Sequence, residues 1–248
     1  MMDTTQTWEI PPAHLSLGEQ EVHVWRVPVD ASAADLASLQ AVLTAEEVAK
    51  ARRFVFERDR TRSLVTHALL RILVGRYLQT SPSLLRFTAN TYGKPTLASP
   101  DLPLQFNLSH SANLVLYAFA WRRHLGVDVE YMRSNIDYDE LAEYCFSPFE
   151  QQALSGLSRD EKHVAFYNCW TRKEAYIKAR GMGLSLPLHL FDVSLLPGEA
   201  AALLRSREDS GEVQRWSMRQ LAPGAGYAGA LVVEGTDWQL RCWQWQGR

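Results

Sequence analysis

The alternation of apolar and polar positions predicts β-strands in both halves of the chain. Residues 21–29 (EVHVWRVPV) alternate with the two-residue period of a strand that has one buried face. Residues 114–121 (LVLYAFAW) are apolar almost throughout, which is typical of a buried strand. The predicted strands are 21–29, 105–108, 114–121, 125–130, 191–195, 214–220, 227–233 and 239–245, with extended chain at 83–87 and 95–96.

Apolar residues spaced three and four positions apart predict the helices. Leu64, Ala68 and Ile72 recur in this way and give one long helix a buried face. Thr44 followed by Glu47 matches a capping box, which begins another helix. The predicted helices are 33–43, 44–56, one from Asp59 or Thr61 to 78, 138–144, one that opens at Ser147-Pro148, and 162–180, which Gly181 and Gly183 end.

The same order of elements occurs twice: a strand, a short helix, a capped helix, a long helix and further strands. Residue identity between the halves is negligible, so the repeat is one of pattern alone. It predicts an α+β fold with two similar subdomains, residues 1–123 and 124–248, each a small mainly antiparallel sheet packed with helices. We expect the functional site in the cleft between them.

The composition favours a cytoplasmic globular protein. A chain of 248 residues can form a full core, and its net charge of −2 argues against a general nucleic-acid binder. Cys145, Cys169 and Cys242 lie far apart and outside any metal-binding spacing, which suits a reducing compartment. Residues 1–12 lack the features of a secretory signal, and no apolar run is long enough to cross a membrane.

Positive charge is concentrated in one stretch of the first half. This stretch is either the solvated face of a helix or an anion-binding site, and the acids Glu57 and Asp59 within it argue against a disordered basic tail. Its basic residues are Lys50, Arg52, Arg53, Arg58, Arg60, Arg62, Arg71 and Arg76.

Two carboxylates occur in the predicted strand GVDVE, residues 126–130. Asp128 and Glu130 are two positions apart and point to one side, whereas Val127 and Val129 point to the other side, toward a core. Two close carboxylates repel each other unless a cation neutralises them, and Mg²⁺ takes oxygen ligands. The alternative is the polar face of a strand end in water.

A third carboxylate lies in the predicted helix WTRKEAYIK, residues 170–178. Glu174 and Lys178 are four positions apart and share a helix face. Such pairs are common on exposed helices, where each contributes only about 0.3–0.5 kcal/mol. Apolar neighbours such as Trp170 imply burial, however, and buried charges need partners such as a metal ion and phosphate oxygens. Lys173 pairs with another acid or a phosphate, or is solvated.

Two polar segments are candidate ligand-binding turns. In the predicted turn 109–113 (SHSAN), the hydroxyl of Ser109, backbone N–H groups and His110 can donate to an anion. A nucleophilic Ser–His pair is the alternative, but adjacent side chains cannot easily point at each other. In the turn 92–95 (YGKP), the glycine permits close approach of a flat ligand and the lysine supplies charge.

Together these motifs resemble the surfactin-type (Sfp-like) 4′-phosphopantetheinyl transferase family. Its signatures are a G-(V/I)-D-(V/I)-E strand and a W-(S/T)-x-K-E-A-(F/Y)-x-K helix, present here as GVDVE and WTRKEAYIK. Family-like segments also occur as KARRF at Lys50, YGKP at Tyr92, FNLSHS at Phe106 and GLSLPL at Gly183. The resemblance spans residues 43–191, most of the chain.

The resemblance implies two pseudo-twofold-related halves with the active site in the cleft between them. It implies transfer of 4′-phosphopantetheine from coenzyme A to a serine hydroxyl of an apo acyl, peptidyl or aryl carrier protein, with release of 3′,5′-ADP. Asp128, Glu130 and Glu174 would bind the Mg²⁺ cofactor. Asp128, Glu174 and Lys178 would be catalytic, with Glu174 a candidate base and Lys178 stabilising phosphate charge.

The same resemblance implies which residues contact coenzyme A. One departure concerns the 3′-phosphate, because some members have a basic residue where this chain has Glu47, and Arg53 or Arg62 is expected to compensate. The implied contacts are Tyr92, Gly93, Lys94 and Pro95 to adenine, Asn107, Ser109 and His110 near the phosphates, Lys50 at the 3′-phosphate, and Asp128, Glu174 and Lys178 at the pyrophosphate.

In the family the carrier protein docks on apolar surface near the cleft. Tyr144, Phe146 and Phe149 lie in the corresponding segment and are either this surface or core, and the basic stretch can meet an acidic carrier helix. Two fused halves complete a cleft in one chain, so we expect a monomer. The alternatives to a transferase are a Mg²⁺-dependent pyrophosphohydrolase and a non-catalytic binding module, which would not need the intact set of site residues.

Overall fold

The computed structural model describes residues 6–29, 33–99 and 102–247. Its longer strands form two sheets, and each sheet packs against a 22-residue helix. The strands are β1 (Glu21–Pro28), β2 (Phe87–Ala89), β3 (Pro95–Leu97), β4 (Leu104–Ser111), β5 (Leu114–Trp121), β6 (Leu125–Tyr131), β7 (Phe191–Val193), β8 (Leu203–Ser206), β9 (Trp216–Leu221), β10 (Tyr227–Glu234) and β11 (Gln239–Gln244). The helices are α1 (Ala33–Gln40), α2 (Ala45–Ala51), α3 (Glu57–Leu78), α4 (Tyr138–Cys145), α5 (Pro148–Ser155), α6 (Arg159–Arg180) and α7 (Glu212–Arg215), with 3₁₀ turns at Pro82–Leu84, Gly183–Ser185 and Leu188–Leu190.

The first sheet has the strand order β11-β1-β5-β4, and the second has the order β6-β10-β9. Neighbouring strands are antiparallel except β1 and β11, which run parallel. β2 pairs with β3, and β7 pairs with β8, as separate ladders. The predicted α+β class, with small mainly antiparallel sheets packed with helices, is confirmed.

Alternating side chains give each sheet a core on both faces. On one face of the first sheet, Trp25 and Tyr117 pack with Leu69 and its neighbours on α3. On the opposite face, Val24 packs with Val127 and other residues of the second sheet. The far face of the second sheet packs against α6. The layers are therefore α3, first sheet, second sheet and α6, and the valines of GVDVE point into the core between the sheets as predicted.

The last strand, β11, lies in the first sheet, where Cys242 pairs with Val24 in parallel register. The division at residues 123 and 124 stays a prediction. Under that division, the second half supplies an outer strand to the sheet of the first half.

The predicted turn at 109–113 is wrong. β4 continues through Ser111, because Ser109 and His110 pair with β5 in register. Only Ala112 and Asn113 make the turn, with Ala112 in the left-handed region at φ 47°. Ser109 and Ser111 therefore share one side of a strand, and His110 points to the other side.

Several predicted helix and strand ends are also wrong. α2 stops at Ala51 rather than 56, and Phe54 to Phe56 are exposed, so no packing supports a further turn. α3 begins at Glu57, before both predicted caps. α6 begins at Arg159, where the Glu161 carboxylate accepts a hydrogen bond from the backbone N–H of Ser158.

Short elements account for the remaining differences. The strand predicted from residue 214 begins at Trp216, because the chain from Glu212 first makes one helical turn. The extended chain predicted at 83–87 contains a 3₁₀ turn that opens at Pro82. β8 was not predicted, because four residues show too little alternation. Among the described residues, no helix combines the length and apolar character needed to cross a membrane.

Candidate active site

β6 and α6 approach each other closely at Gly126. A Cβ atom at this position would lie 2.1 Å from the carbonyl oxygen of Ala175 and 2.4 Å from the backbone nitrogen of Ala179. Atoms cannot approach so closely, so the first residue of GVDVE must be glycine. The next side chains on this face of β6 are thereby held against the helix.

Asp128 is the most buried carboxylate at this contact, with 2% of its surface exposed. Its Oδ1 accepts hydrogen bonds from Ser109 Oγ at 2.7 Å and from Lys178 Nζ at 2.6 Å. Its Oδ2 is buried and has no hydrogen-bond partner among the described residues. Leaving such an oxygen unpaired costs free energy, so a cation or a ligand donor would be stabilised beside it.

Burial and nearby negative charge raise the pKa of the other two carboxylates. Burial raises the pKa of Glu130, and Asp128 adds to the shift, whereas Ser111 Oγ, which donates to Glu130 Oε2 at 2.7 Å, opposes it. Burial, followed by the charge of Asp128, raises the pKa of Glu174 to about 7, although Lys178 lowers it. A cation between these groups would relieve their repulsion.

A cleft of about 370 Å³ opens over these carboxylates where β4 meets β6 and α6. The structure brings six of the predicted site residues together in this cleft. The sequence analysis did not predict that Trp170 would form part of the cleft wall or that Ser111 would donate a hydrogen bond to Glu130. Trp170 lies one helical turn before Glu174 and therefore on the same helix face. Ser111 lies two residues after Ser109 and therefore on the same side of a strand. Both positions could have been predicted from these spacings. The lining residues are Leu108, Ser109, His110, Asp128, Glu130, Trp170, Glu174 and Lys178.

The predicted basic residues differ in their distance from the cleft. Burial lowers the pKa of His110, and the positive charges of Arg62 and Lys178 lower it further. Arg62 therefore lies near His110, which lines the cleft. Lys50 and Arg53 are exposed near the end of α2 and do not line the described cleft. Their contacts with coenzyme A stay predictions.

Glu47, the departure from the family pattern, has a structural role. Its carboxylate accepts hydrogen bonds from Arg71 Nε at 2.8 and 3.0 Å and from the backbone N–H of Thr44 at 2.8 Å. It therefore caps α2 and joins this helix to α3, which also removes Arg71 from the exposed basic stretch.

Two predicted coenzyme A contacts bind backbone groups of the second half. Lys94 Nζ donates to the carbonyl oxygens of Leu125 at 2.9 Å and of Lys178 at 2.8 Å. Asn107 Oδ1 accepts a hydrogen bond from the backbone N–H of Val127 at 2.9 Å. These bonds fasten the first half to β6 and α6, and a coenzyme A contact by either residue stays a prediction. The other turn residues, Tyr92, Gly93 and Pro95, are exposed.

Lys173 pairs with an acid and lies outside the cleft. Its Nζ is 2.8 Å from Glu150 Oε2, and both side chains are fully buried. It also donates to the carbonyl oxygens of Leu188 and Phe191, each at 2.7 Å. This buried cluster fastens α5 and the segment before β7 to α6.

The carboxylates of the cleft fit a hard divalent cation without forming a finished site. In the described part of the chain, no group of three His, Cys, Asp or Glu side chains is gathered closely enough to hold a metal ion. The unpaired Oδ2 of Asp128, in the same cleft as Glu130 and Glu174, nevertheless suits oxygen ligation of Mg²⁺. Side-chain movements would be needed to bring three ligands together.

Known proteins resemble this chain in both halves. Residues 124–232 match the 4′-phosphopantetheinyl transferase superfamily, and residues 28–121 match the N-terminal region of 4′-phosphopantetheinyl transferases. The 4′-phosphopantetheinyl transferase HetI of Nostoc sp. is 36% identical over 241 residues, which cover 96% of this chain and 98% of the relative. This chain belongs to the 4′-phosphopantetheinyl transferase superfamily.

Other members align less completely. A putative 4′-phosphopantetheinyl transferase of Synechocystis sp. is 34% identical over 196 residues, with 79% of this chain and 77% of the relative covered. The 4′-phosphopantetheinyl transferase Sfp of Bacillus subtilis is 38% identical over 154 residues, with 62% and 66% covered. The predicted family and the predicted enzyme class are confirmed.

For the three aromatic residues predicted to be either docking surface or core, the structure distinguishes one from the other two. Phe146 is 1% exposed and packs in the core against Phe166, so it is not available to a partner. Tyr144 and Phe149 are 78% and 51% exposed and stay candidates.

Proposed function

We propose that this transferase moves 4′-phosphopantetheine from coenzyme A to a serine hydroxyl of an apo carrier protein. The serine oxygen would form a bond to the phosphorus that bears the pantetheine. The bond from that phosphorus to the bridging oxygen would break, releasing 3′,5′-ADP. The observation that carries this proposal is the buried Asp128 beside Lys178 and Glu174, in a cleft to which both halves contribute.

Glu174 would take the proton of the serine hydroxyl. Its carboxylate lines the cleft beside Lys178, where it can accept that proton. Lys178 would stabilise the negative charge that develops on the phosphate oxygens. Glu130 and Asp128 would complete the Mg²⁺ ligands with Glu174, and a bound Mg²⁺ would neutralise the pyrophosphate.

The cleft also offers donors for the phosphates of coenzyme A. Ser109 and His110 line it, and Arg62 lies on the His110 side. Lys50 and Arg53, near the end of α2, would contact the 3′-phosphate. They would replace the basic residue that some family members have at the position of Glu47. The exposed residues of the turn, Tyr92, Gly93 and Pro95, would hold the adenine.

The acceptor would approach across Tyr144 and Phe149. The negative charge of Glu174 contributes to the raised pKa of Cys145, so the segment that carries these aromatic side chains lies near the proposed base. The exposed part of the basic stretch would meet an acidic carrier helix. We further propose a monomer, since one chain supplies both sides of the cleft. The net charge of −2 and the scattered cysteines support a cytoplasmic protein with no nucleic-acid partner.

The test is the intact mass of apo acyl, peptidyl and aryl carrier proteins after incubation with this protein, coenzyme A and Mg²⁺. A gain of one phosphopantetheine is expected, and it should be absent without Mg²⁺ and in a carrier whose acceptor serine is replaced by alanine. Turnover of coenzyme A without any carrier would instead favour the pyrophosphohydrolase. Binding of coenzyme A with no turnover on any carrier would favour the binding module.

A further inference from the structure

The side chain of Lys94 leaves a surface turn of the first half and ends inside the second half. Its Nζ donates to the carbonyl oxygen of Leu125, the first residue of β6, and to that of Lys178 on α6. β6 carries two of the proposed metal ligands, and α6 carries the proposed base. A single ammonium group therefore bridges the two elements that together form the site.

Asn90 fastens the same turn at a second point. Its Nδ2 donates to the carbonyl oxygen of Gly181 at 2.7 Å, just beyond the end of α6. Its Oδ1 accepts hydrogen bonds from the backbone N–H groups of Tyr92 and Lys94, each at 2.9 Å. The turn is thereby held in one conformation and attached to the C-terminal end of α6, whose carbonyl groups attract positive charge.

The surroundings of Lys94 argue against a merely space-filling role. Burial alone lowers the pKa of Lys94, to about 8, and the groups that face the ammonium are the two backbone carbonyls. Burying an ammonium group is costly, and a methionine would fill the same space without that cost. What lysine supplies is a pair of directed hydrogen bonds that join α6 to β6.

We propose that Lys94 is a positioning residue of the transfer reaction, which holds Lys178 and Glu174 at the correct separation from the carboxylates of β6. This inference rests on the proposed function for its kinetic consequences. It gives Lys94 a different role from a direct adenine contact. Both roles place the residue in the same turn, so only measurements that separate binding from turnover distinguish them.

The kinetic test compares Lys94→Met and Lys94→Arg with the control Lys162→Met. Lys162 lies near the opposite end of α6, where it pairs with the exposed Asp139. We expect Lys94→Met to lower kcat at least about tenfold, because misplacing reacting groups by a fraction of an ångström has effects of this order. Its Kd for coenzyme A, measured by calorimetry, should stay within about threefold of wild type, as for loss of a group that does not touch the ligand.

Lys94→Arg should recover part of the lost rate, since a guanidinium group can also donate to two carbonyl oxygens. The control should match wild type in both constants. A raised Kd with unchanged kcat in Lys94→Met would overturn the proposal in favour of an adenine contact. If Lys94→Met does not fold, Lys94→Gln takes its place, and because its amide can donate to one of the two carbonyl oxygens it should show a smaller fall in kcat with the same unchanged Kd.

A structural measurement separates this proposal from the proposed function. Hydrogen exchange followed by mass spectrometry should show faster exchange in Lys94→Met over residues 174–183, with exchange over 159–168 unchanged. This result is independent of any carrier protein, so it holds even if no phosphopantetheine is transferred. Unchanged exchange over 174–183 in a folded Lys94→Met protein would overturn the proposal that Lys94 holds α6 against β6.

Discussion

The ammonium group of Lys178 lies 2.6 Å from Oδ1 of Asp128, whereas Oδ2 of the same carboxylate has no hydrogen-bond partner in the described part of the chain. Lys178 therefore already neutralises part of the charge that a divalent cation would neutralise. In the ligand-free protein, Lys178 would therefore compete with the proposed cation for Asp128. With a pyrophosphate bound, Lys178 would be able to donate to phosphate oxygens instead.

Replacing Lys178 separates these two effects. We expect Lys178→Met to lower transfer, because phosphate charge is no longer stabilised. We expect the same change to tighten binding of Mn²⁺, used as a probe for Mg²⁺, by about three- to tenfold in the absence of coenzyme A, because a competing positive charge has gone. Titration of the free ion by electron paramagnetic resonance measures this affinity. Weaker Mn²⁺ binding would show that Lys178 supports the cation rather than competing with it.

Glu174 is expected to be indispensable for transfer. Glu174→Gln keeps the shape of the side chain but can neither accept a proton nor bind a cation strongly. Transfer to an apo carrier should fall by at least about 10²–10³-fold, the loss that follows removal of one electrostatic stabiliser. Circular dichroism should show a folded protein, and the exposed Glu19→Gln provides the matched control. A rate close to wild type would remove Glu174 from the mechanism.

The sequence was sufficient to predict the face on which each carboxylate lies. Asp128 and Glu130 share a face because strand side chains alternate, and their valine neighbours occupy the core between the sheets. Glu174 and Lys178 share a face because the helix repeats every 3.6 residues. Both patterns depend only on the local backbone geometry, so contacts with distant parts of the chain do not change which side chains share a face.

Contacts between distant segments left no comparable pattern. Lys94 and Asn107 bind backbone groups about thirty and twenty residues away, and neither direction is encoded in the surrounding sequence. Nor did the sequence indicate that β11 would join the first sheet. The predicted turn at 109–113 failed for the opposite reason, because pairing with β5 overrode a run of polar residues that favours a turn.

Gly126 offers a test of the spacing between β6 and α6. In Gly126→Ala the new methyl group would overlap the carbonyl oxygen of Ala175, so the helix must move away from the strand. We expect a loss of about 3 kcal/mol in the free energy of unfolding, at the upper end for overpacked sites. Transfer should also fall, because Glu174 moves with the helix.

Gly156→Ala is the matched control, because no described atom lies within 4 Å of the place that its new methyl group would take, and its φ of −85° suits alanine. Its free energy of unfolding, from urea titration, should stay within about 1 kcal/mol of wild type. Equal losses in the two variants would show that the contact at Gly126 is not limiting.

The buried pair of Lys173 and Glu150 should matter for stability rather than chemistry. Removing one partner leaves an unpaired charge in a dry environment, so Lys173→Met and Glu150→Gln should each cost about 3–5 kcal/mol of unfolding free energy. The double variant should cost less than the sum, because neither charge is then left alone. Urea titration of the three variants tests this, and additive losses would contradict it. Lys162→Met, which breaks an exposed pair, should cost less than about 1 kcal/mol.

His23 should make the protein sensitive to acid. Its imidazole is 1% exposed and contacts Tyr77 Oη at 2.8 Å and Glu21 Oε2 at 3.3 Å. Burial lowers its pKa to about 4, although Glu21 opposes the shift. The unfolded chain therefore takes up a proton first as the pH falls. The contribution of His23 to stability is fully present above its ordinary pKa of about 6.5 and is lost as the pH falls from there toward 4.

A shift of this size corresponds to about 3 kcal/mol, lost between pH 6.5 and 4. His23→Gln has no imidazole to protonate, so its unfolding free energy should fall less steeply over this range than that of wild type, whatever its stability at pH 7. His124→Gln, at an exposed position, is the matched control and should follow the wild-type slope. Urea titrations at half-unit pH intervals measure all three slopes. If His23→Gln keeps the wild-type slope, the acid sensitivity arises from other groups.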